Sequence, residues 1–229
     1  MAITLYELLG HDDRRFSPYC WRARMALAHK GLEADYVPCR FTEKDKFAFS
    51  GQDRIPVIRD GEAVVFDSWD IACYLEEAYA DRPSLFGGAT GKAAARFFNE
   101  WIAALNAPVL KSIVKDLHDH VAAQDRAYFR TSREARFGTT LEAMHEARDS
   151  LRPAIEAACA PLRATLAHQP FFCGARPAYA DYIIFGTFQF ARSMSPYRLV
   201  APGDALYDWR GRMLDLFDGL GRSVTAFPE

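Results

Sequence analysis

The stretch "IPVIRDGEAVVFDSWDIACYLEEAYAD", residues 55 to 81, decides the fold of this chain. Its first part, Ile55–Phe66, consists of two runs rich in β-branched residues on either side of Asp60-Gly61, a dipeptide typical of tight hairpin turns. In its second part, Asp67–Asp81, the apolar residues recur at helical spacing. The stretch therefore predicts two antiparallel strands followed directly by a helix.

Upstream of this stretch, strand and helix signals alternate. Ile3–Leu9 is β-branched and aromatic and predicts a buried strand, and a helix is expected to begin at Pro18 and stop at Gly31. Ala34–Cys39 predicts a second strand, in which Pro38 suits an edge position because proline cannot donate to a strand ladder. A polar loop with a short helix follows, so the predicted order is β-α-β-α-β-β-α.

Downstream of it, the pattern becomes wholly helical. Asp81–Gly88 contains a proline and a glycine pair and predicts a linker. We therefore expect an α/β domain over residues 1–80, a linker over 81–90 and an all-helical domain over 91–229. The helical runs are predicted over Gly91–His118, over Arg133–His168 with kinks at Pro153 and Pro161, over Tyr179–Met194 as a central buried helix, and over Asp204–Gly221.

Composition and charge exclude several classes of function. Half of the 229 residues are hydrophobic and the net charge is −2, which is typical of a globular protein and gives no basic field for nucleic acid. No apolar run approaches the roughly 20 residues of a membrane span, and the first residues lack the pattern of a signal peptide. The five scattered cysteines form neither a disulfide framework nor a zinc motif, so a reducing cytoplasm and a site without metal are expected.

The stretch "SPYCWRARMAL", Ser17–Leu27, resembles a Cys-x-x-Cys redox turn whose first cysteine has become Ser17. The start of a helix favours negative charge, and a thiol with an ordinary pKa of about 8.5 is more readily ionised there. We expect the Ser17 hydroxyl to donate a hydrogen bond to a bound thiolate while it also caps the helix. Cys20, one turn into the helix, is expected to be buried and inert.

Two further segments complete a site for a short peptide. In this order of elements we expect a cis bond between Ile55 and Pro56, which turns the main-chain groups of Ile55 outward for pairing with an extended ligand. Asp67 and Ser68 begin a helix, where Ser68 is a plausible N-cap and also a carboxylate ligand, and Asp67 can meet an ammonium group. Together with Ser17, these groups fit a cysteine-containing peptide with a free amino-acid head.

Glutathione is the obvious candidate for that peptide. Its glycine carboxylate needs a cation or amide donors, for which Gln52 and Arg54 lie just before the expected cis bond. Lys44 and Lys46 are alternatives.

From these residues the chain resembles a glutathione transferase along its whole length. The stretches "IPVI", "DSWDIACYLEEAY", "DRPSLF" and "ADYIIFG" carry the resemblance. It implies a thioredoxin-like α/β N-terminal domain, an all-α helical bundle at the C-terminus, glutathione as cosubstrate and a homodimer. The family's capped helix would have its cap at Ala178, which lacks the usual hydroxyl, with Asp181 as the capping-box acid.

Within that family the closer resemblance is to the bacterial β-etherase subgroup, whose members cleave aryl ethers, and "SPYCWRARMALAHKG" and "LYDWRGRMLDLFDGLGR" contribute to it. It implies that Ser17 stabilises the glutathione thiolate as the sulfur attacks a hydrophobic electrophile. The electrophile is expected to contact Phe16, Trp101, Leu105 and Tyr197, although each of these also fits a core position. The segment "GHDDRRF", residues 10 to 16, is charged where an apolar wall would be expected.

Three other functions stay open from the sequence alone. An exposed Cys20 would permit glutathione-dependent disulfide reduction, and the same fold is also used by non-enzymatic binding proteins. Dehalogenation or isomerisation with glutathione would use the same thiolate with a different pocket.

Overall fold

The computed structural model describes residues 2–228 of the chain. Its strands are β1 (Ile3–Leu8), β2 (Ala34–Cys39), β3 (Val57–Asp60) and β4 (Ala63–Phe66). Its α-helices are α1 (Pro18–His29), α2 (Ser68–Ala78), α3 (Ala89–Trp101), α4 (Ala103–His120), α5 (Arg126–Phe137), α6 (Leu141–Glu146), α7 (Arg152–Leu166), α8 (Tyr179–Met194) and α9 (Ala205–Gly219). A 3₁₀ helix, Lys44–Ser50, lies in the loop before β3, as the sequence predicted.

The four strands form one sheet in the order β2-β1-β3-β4. β1 and β2 are parallel, whereas β3 is antiparallel to both β1 and β4. Pro38 therefore lies on an edge strand, as expected. Asp60 pairs with Ala63, so the turn of the hairpin comprises the two residues 61 and 62, one position later than predicted. This thioredoxin-like α/β arrangement confirms the predicted fold of the N-terminal part.

The helix α2 begins where predicted but with a different cap. Asp67 is its N-cap, since its carboxylate accepts a hydrogen bond from the amide of Trp69. The expectation that Ser68 caps this helix was wrong, because Ser68 already lies within the first turn. Ile71 and Leu75 are fully buried, as their helical spacing predicted.

The helical part is more divided than its sequence suggested. The predicted run over 91–118 is split at Ile102 into α3 and α4. The prediction of one kinked helix over 133–168 was wrong. Gly138, with φ of 68°, ends α5, and Thr140 caps α6. Pro153 stands in the first turn of α7, where proline starts a helix, whereas Pro161 lies inside α7.

The helix α8 is the centre of the fold, as predicted. All of its residues except Arg192 are buried. Gly186 faces α1 so closely that a Cβ atom there would lie 2.4 Å from the carbonyl oxygen of Pro18. Phe185, beside that glycine, packs edge-on against Trp21. A residue without a side chain thus lets α8 support the first turn of α1 directly.

The start of α8 is held by a buried carboxylate. Ala178 supplies no side-chain cap, but Asp181 accepts hydrogen bonds from the amides of Ala178 and Phe172 and from Nε1 of Trp209. Burial raises the pKa of the Asp181 carboxyl, and these donors act in the opposite direction.

The predicted linker over 81–90 follows the end of α2 at Ala78 and overlaps the first residues of α3, and its use as a domain limit stays a prediction. None of the helices within residues 2–228 is long and apolar enough to cross a membrane.

Candidate active site

The sheet brings three segments of the sequence to one end of its strands. Val57 pairs with Tyr6 on β1 and with Phe66 on β4. The chain that leaves β1, the Ile55-Pro56 segment before β3 and Asp67 after β4 therefore all lie at the same end of the sheet. The predicted sulfur, peptide and head-group positions are thus neighbours, although they are far apart in sequence.

Ser17 is held at the N-terminus of α1. Leu9 pairs with Arg15 in an isolated bridge, which folds the loop after β1 back toward the helix. Ser17 is the N-cap residue, and its Oγ accepts a hydrogen bond from the amide of Cys20 at 3.3 Å. Ser17 as a whole is only 5% exposed. A hydroxyl that accepts from the helix still has its own proton to donate, so capping and thiolate binding are compatible.

Cys20 is buried, as expected. It is 3% exposed, and burial raises the pKa of its thiol to about 12 although the Ser17 hydroxyl acts in the opposite direction. A thiol with that pKa remains protonated at neutral pH, and the thiolate is the nucleophilic form. The position is therefore suited to packing.

The Ile55-Pro56 peptide bond is cis, which confirms the expectation. Ladder pairing of β3 begins only at Val57, so the main-chain groups of Ile55 lie outside the strand register. Pro56 is buried and Ile55 is half-buried, packing against the small cluster around Val57. Gln52, three residues before Ile55, is also half-buried, and its backbone N–H donates a hydrogen bond to Ser50 Oγ.

The start of α2 contains an exposed acid beside a buried serine. Asp67 has φ of 66°, an unusual backbone conformation outside glycine, and its Oδ1 accepts from the Trp69 amide at 2.8 Å. Ser68 is 2% exposed, and its carbonyl oxygen accepts a hydrogen bond from Tyr179 Oη at 2.5 Å. Tyr179 was not among the predicted site residues, since nothing in its local sequence indicates a contact 111 positions away.

The candidate cations for a carboxylate differ in their surroundings. The side chain of Arg54 is 90% exposed and lies 3.7 Å from Asp53. Lys44 also faces Asp53, at 3.6 Å, which brings the 3₁₀ segment close to the residues before Ile55. Lys46 already has two hydrogen-bond partners, because its Nζ donates to the carboxylate of Glu43 and to the carbonyl of Pro38.

The four residues predicted to contact a hydrophobic substrate differ in their burial. Phe16 and Leu105 are 2% and 0% exposed and belong to the core. Trp101 ends α3 and is half-buried. Tyr197 follows α8, and its hydroxyl donates to Asp149. Their role as a substrate wall stays a prediction.

A cleft lies beside the loop that leads to Ser17. It has a volume of about 460 Å³, and its polar lining comprises His11, Asp12, Asp13, Arg40 and Gln124. The charged stretch "GHDDRRF" was the sequence signal for this lining, although its position in a cleft could not be predicted. Among residues 2–228, no group of three or more His, Cys, Asp or Glu side chains is arranged to hold a metal ion.

Comparison with known proteins identifies the family. Residues 16–78 match the model for the N-terminal domain of glutathione S-transferases, and residues 93–199 match the model for their C-terminal domain. A probable glutathione transferase of Aplysia californica is 37% identical over 71 residues, which cover 30% of this chain and 77% of that protein. This chain belongs to the glutathione S-transferase family.

Other relatives agree with this membership. Glutathione S-transferase Z1 of Arabidopsis thaliana is 36% identical over 69 residues, which span 28% of this chain and only 31% of that protein's length. The solved structure of a Ceriporiopsis subvermispora glutathione S-transferase in complex with glutathione superposes with a TM-score of 0.78 at 22% identity, covering 95% of this chain and 97% of the other. At that identity the likeness establishes the fold.

Proposed function

We propose that this protein is a glutathione transferase in which Ser17 stabilises the glutathione thiolate. The observation that carries the proposal is the convergence of Ser17, the cis Ile55-Pro56 segment and Asp67 at one end of the sheet. The N-terminus of α1 adds a partial positive charge at the position of the sulfur.

Glutathione is proposed to bind as an extended peptide across this end of the sheet. Its α-ammonium group pairs with the exposed carboxylate of Asp67, and its γ-glutamyl carboxylate meets the amides and hydroxyl at Ser68. The main chain of its cysteine pairs with Ile55, beside the ring of Pro56. The position of Asp67 at an exposed helix N-terminus supports this direction of binding.

The glycine carboxylate of glutathione lies at the other end of that peptide. Gln52 and Arg54 precede the cis bond and are the proposed ligands, with Lys44 as an alternative. Lys46 is the weaker alternative because its ammonium group already has two partners.

The reaction is a nucleophilic displacement. The Ser17 hydroxyl donates to the thiolate and lowers its pKa, so that more of the bound glutathione is ionised at neutral pH. The sulfur forms a bond to an electrophilic carbon, and the leaving group departs with the electron pair of the broken bond. No covalent enzyme intermediate is required, and the protein contributes orientation together with the ionised nucleophile.

The finer proposal is cleavage of a β-aryl ether. The thiolate would attack the carbon next to a ketone, the carbon–oxygen bond would break, and phenolate would leave and take a proton from water. The resemblance of "SPYCWRARMALAHKG" to the β-etherase subgroup favours this hydrophobic electrophile. Phe16, Trp101, Leu105 and Tyr197 remain its proposed contacts; the cleft beside residues 9–13 is lined by other residues.

The experiment is calorimetry with glutathione followed by a panel of aryl ethers, halides and epoxides. Binding with turnover of at least one electrophile is expected. Binding without turnover would favour a non-enzymatic binder. Disulfide reduction that is lost when Cys20 is changed would favour the redox alternative, against which the burial of Cys20 already argues.

A homodimer in the cytoplasm completes the proposal. Phe66 on β4 and Phe97 on α3 are 40% and 65% exposed, and we propose that the dimer contact covers these aromatic side chains. All five cysteines are free, which suits a reducing compartment.

A further inference from the structure

Tyr179 connects the helical part of the molecule to the proposed head-group site. It is the first residue of α8 and is fully buried. Its Oη donates to the carbonyl oxygen of Ser68 at 2.5 Å, and its own amide donates to the carbonyl of Leu85 at 2.9 Å. Burial raises the pKa of the Tyr179 hydroxyl, so this group keeps its proton and acts as a donor at neutral pH.

The carbonyl that Tyr179 contacts belongs to a particular peptide group. The Ser68 carbonyl and the Trp69 amide are the two ends of one planar peptide unit. The Trp69 amide donates to Asp67 Oδ1 at 2.8 Å. A single rigid group therefore has the Tyr179 hydroxyl at one end and the Asp67 carboxylate at the other.

The ring of Tyr179 is packed independently of this hydrogen bond. Its centroid lies 5.3 Å from that of Phe86 and 5.9 Å from that of Trp69, both in edge-on geometry. A phenylalanine would keep these contacts and lose only the hydroxyl. The hydroxyl is therefore explained by the Ser68 carbonyl and not by the packing of the ring.

A buried cation lies near the same turn. Arg22 on α1 is 2% exposed, and its Nη1 donates to Asn99 at 3.0 Å. Its Nε and Nη2 are buried without a hydrogen-bond partner among residues 2–228. Burial lowers the pKa of Arg22, while the hydroxyls of Tyr179 and Tyr19 and the carboxylate of Asp67 act in the opposite direction. The Arg22 guanidinium thus lies within electrostatic reach of the Tyr179 hydroxyl and the Asp67 carboxylate.

We propose that Tyr179 is a positioning residue for glutathione binding: its hydroxyl fixes the Ser68–Trp69 peptide, and that peptide holds the Asp67 carboxylate where the α-ammonium group binds. This inference rests on the proposed function. It assigns part of the affinity for glutathione to a residue of the helical part that does not itself touch the ligand.

The test is Tyr179→Phe, with Tyr182→Phe as the matched control. Tyr182 is a second buried tyrosine on α8, and its hydroxyl bonds to His29 Nδ1 at 2.6 Å instead of the head-group turn. Tyr179→Phe is expected to raise the Kd and KM for glutathione roughly 3- to 10-fold, the usual effect of one lost hydrogen bond. The kcat, its pH profile and the KM for the electrophile should stay unchanged, and Tyr182→Phe should leave the Kd for glutathione unchanged.

A double-mutant cycle identifies the route of the effect. If Tyr179 acts through Asp67, Tyr179→Phe adds little to the loss of affinity caused by Asp67→Ala. Amide exchange at Trp69, measured without glutathione, should be faster in Tyr179→Phe than in the wild-type protein.

The binding measurements distinguish a failure of the role of Tyr179 from a failure of the proposed function. Wild-type binding of glutathione with an unchanged Kd in Tyr179→Phe would overturn this inference and leave the proposed function intact. Equal losses of affinity in Tyr179→Phe and Tyr182→Phe would also overturn it, since general loosening of α8 would then be sufficient. No binding of glutathione by the wild-type protein would overturn the proposed function itself and this inference with it.

Discussion

The Ser17 hydroxyl and the Cys20 amide are joined by a hydrogen bond of 3.3 Å that closes the first turn of α1. In the redox turn that this sequence resembles, the first position would hold the reactive sulfur. Here that position holds a hydroxyl, and the remaining sulfur of Cys20 is buried. The turn therefore has no thiolate of its own at neutral pH, and in the proposed function its hydroxyl stabilises a thiolate that glutathione supplies.

Ser17→Ala is expected to lower the rate several-fold at neutral pH. Without the hydroxyl the pKa of bound glutathione rises, so the pH–rate profile should shift to higher pH and the rate should recover as the pH increases. Ser17→Thr, which keeps a hydroxyl and a helix cap, is the control. A profile that is identical in Ser17→Ala and the wild-type protein would exclude this role for Ser17. Loss of the cap should also reduce stability by about 1 kcal/mol.

Cys20→Ala is expected to retain glutathione transfer. Burial raises the pKa of the Cys20 thiol to about 12, so the sulfur contributes no nucleophile at pH 7. The measurement compares transfer and disulfide reduction in the variant and the wild-type protein. Loss of a measurable reductase activity in Cys20→Ala would contradict the assignment of Cys20 to packing.

Asp67→Asn is expected to separate charge from capping. Asparagine caps helices as well as aspartate does and tolerates positive φ, so the melting temperature should stay near that of the wild-type protein. The KM for glutathione should rise roughly tenfold, because the bond to the α-ammonium group loses its charge. Asp67→Ala should weaken both binding and stability. Unchanged affinity in Asp67→Asn would place the ammonium group elsewhere.

The sequence was most informative where a short motif, or the order of the predicted elements around it, determines the structure. β2 was predicted over Ala34–Cys39 and is observed there. Its edge position was predictable because Pro38 cannot donate to a strand ladder. The cis bond at Pro56 followed from the order of strands and helices around it. The broken run over 133–168 was missed because the helical periodicity continues across Gly138 and Thr140, where a glycine with positive φ and a hydroxyl cap separate two helices.

The candidate site was predictable only in its local parts. Ser17, Pro56 and Asp67 each belong to a short motif with its own signal. Their common location depends on the register of the sheet, which the motifs do not contain. Tyr179 had no local signal, because its role arises from a contact with a residue 111 positions earlier. Phe16 and Leu105 were selected as apolar residues, and apolar residues are more often part of a core.

Phe97→Glu is expected to weaken self-association. The side chain of Phe97 is the most exposed of the large hydrophobic residues in the described part of the chain, and a carboxylate buried in an apolar interface is strongly unfavourable. Sedimentation velocity should show a dimer for the wild-type protein and a larger monomer fraction for the variant. Tyr128→Glu, at a 44% exposed position on α5, is the control. A wild-type monomer would remove the basis for the homodimer.

The stability of the protein is expected to fall as the pH decreases below 6.5, in part because of His29. Burial lowers the pKa of His29 from the ordinary 6.5, while its bond to the Ser84 carbonyl and nearby Glu76 raise it and Lys30 lowers it further. Since that carbonyl can only accept, Nε2 donates to it and Nδ1 accepts from Tyr182 in the neutral ring. The unfolded chain therefore takes up a proton at a higher pH than the folded one.

Between pH 6.5 and the lower pKa of His29 in the folded protein, uptake of that proton by the unfolded chain favours unfolding. Above pH 6.5 the imidazole is neutral in both states, and the contribution of neutral His29 to the stability of the fold is fully present. His29→Gln removes the titrating group and should show a smaller decrease in melting temperature between about pH 7.5 and pH 5.5 than the wild-type protein. An equal decrease in both proteins would assign the acid sensitivity to other groups.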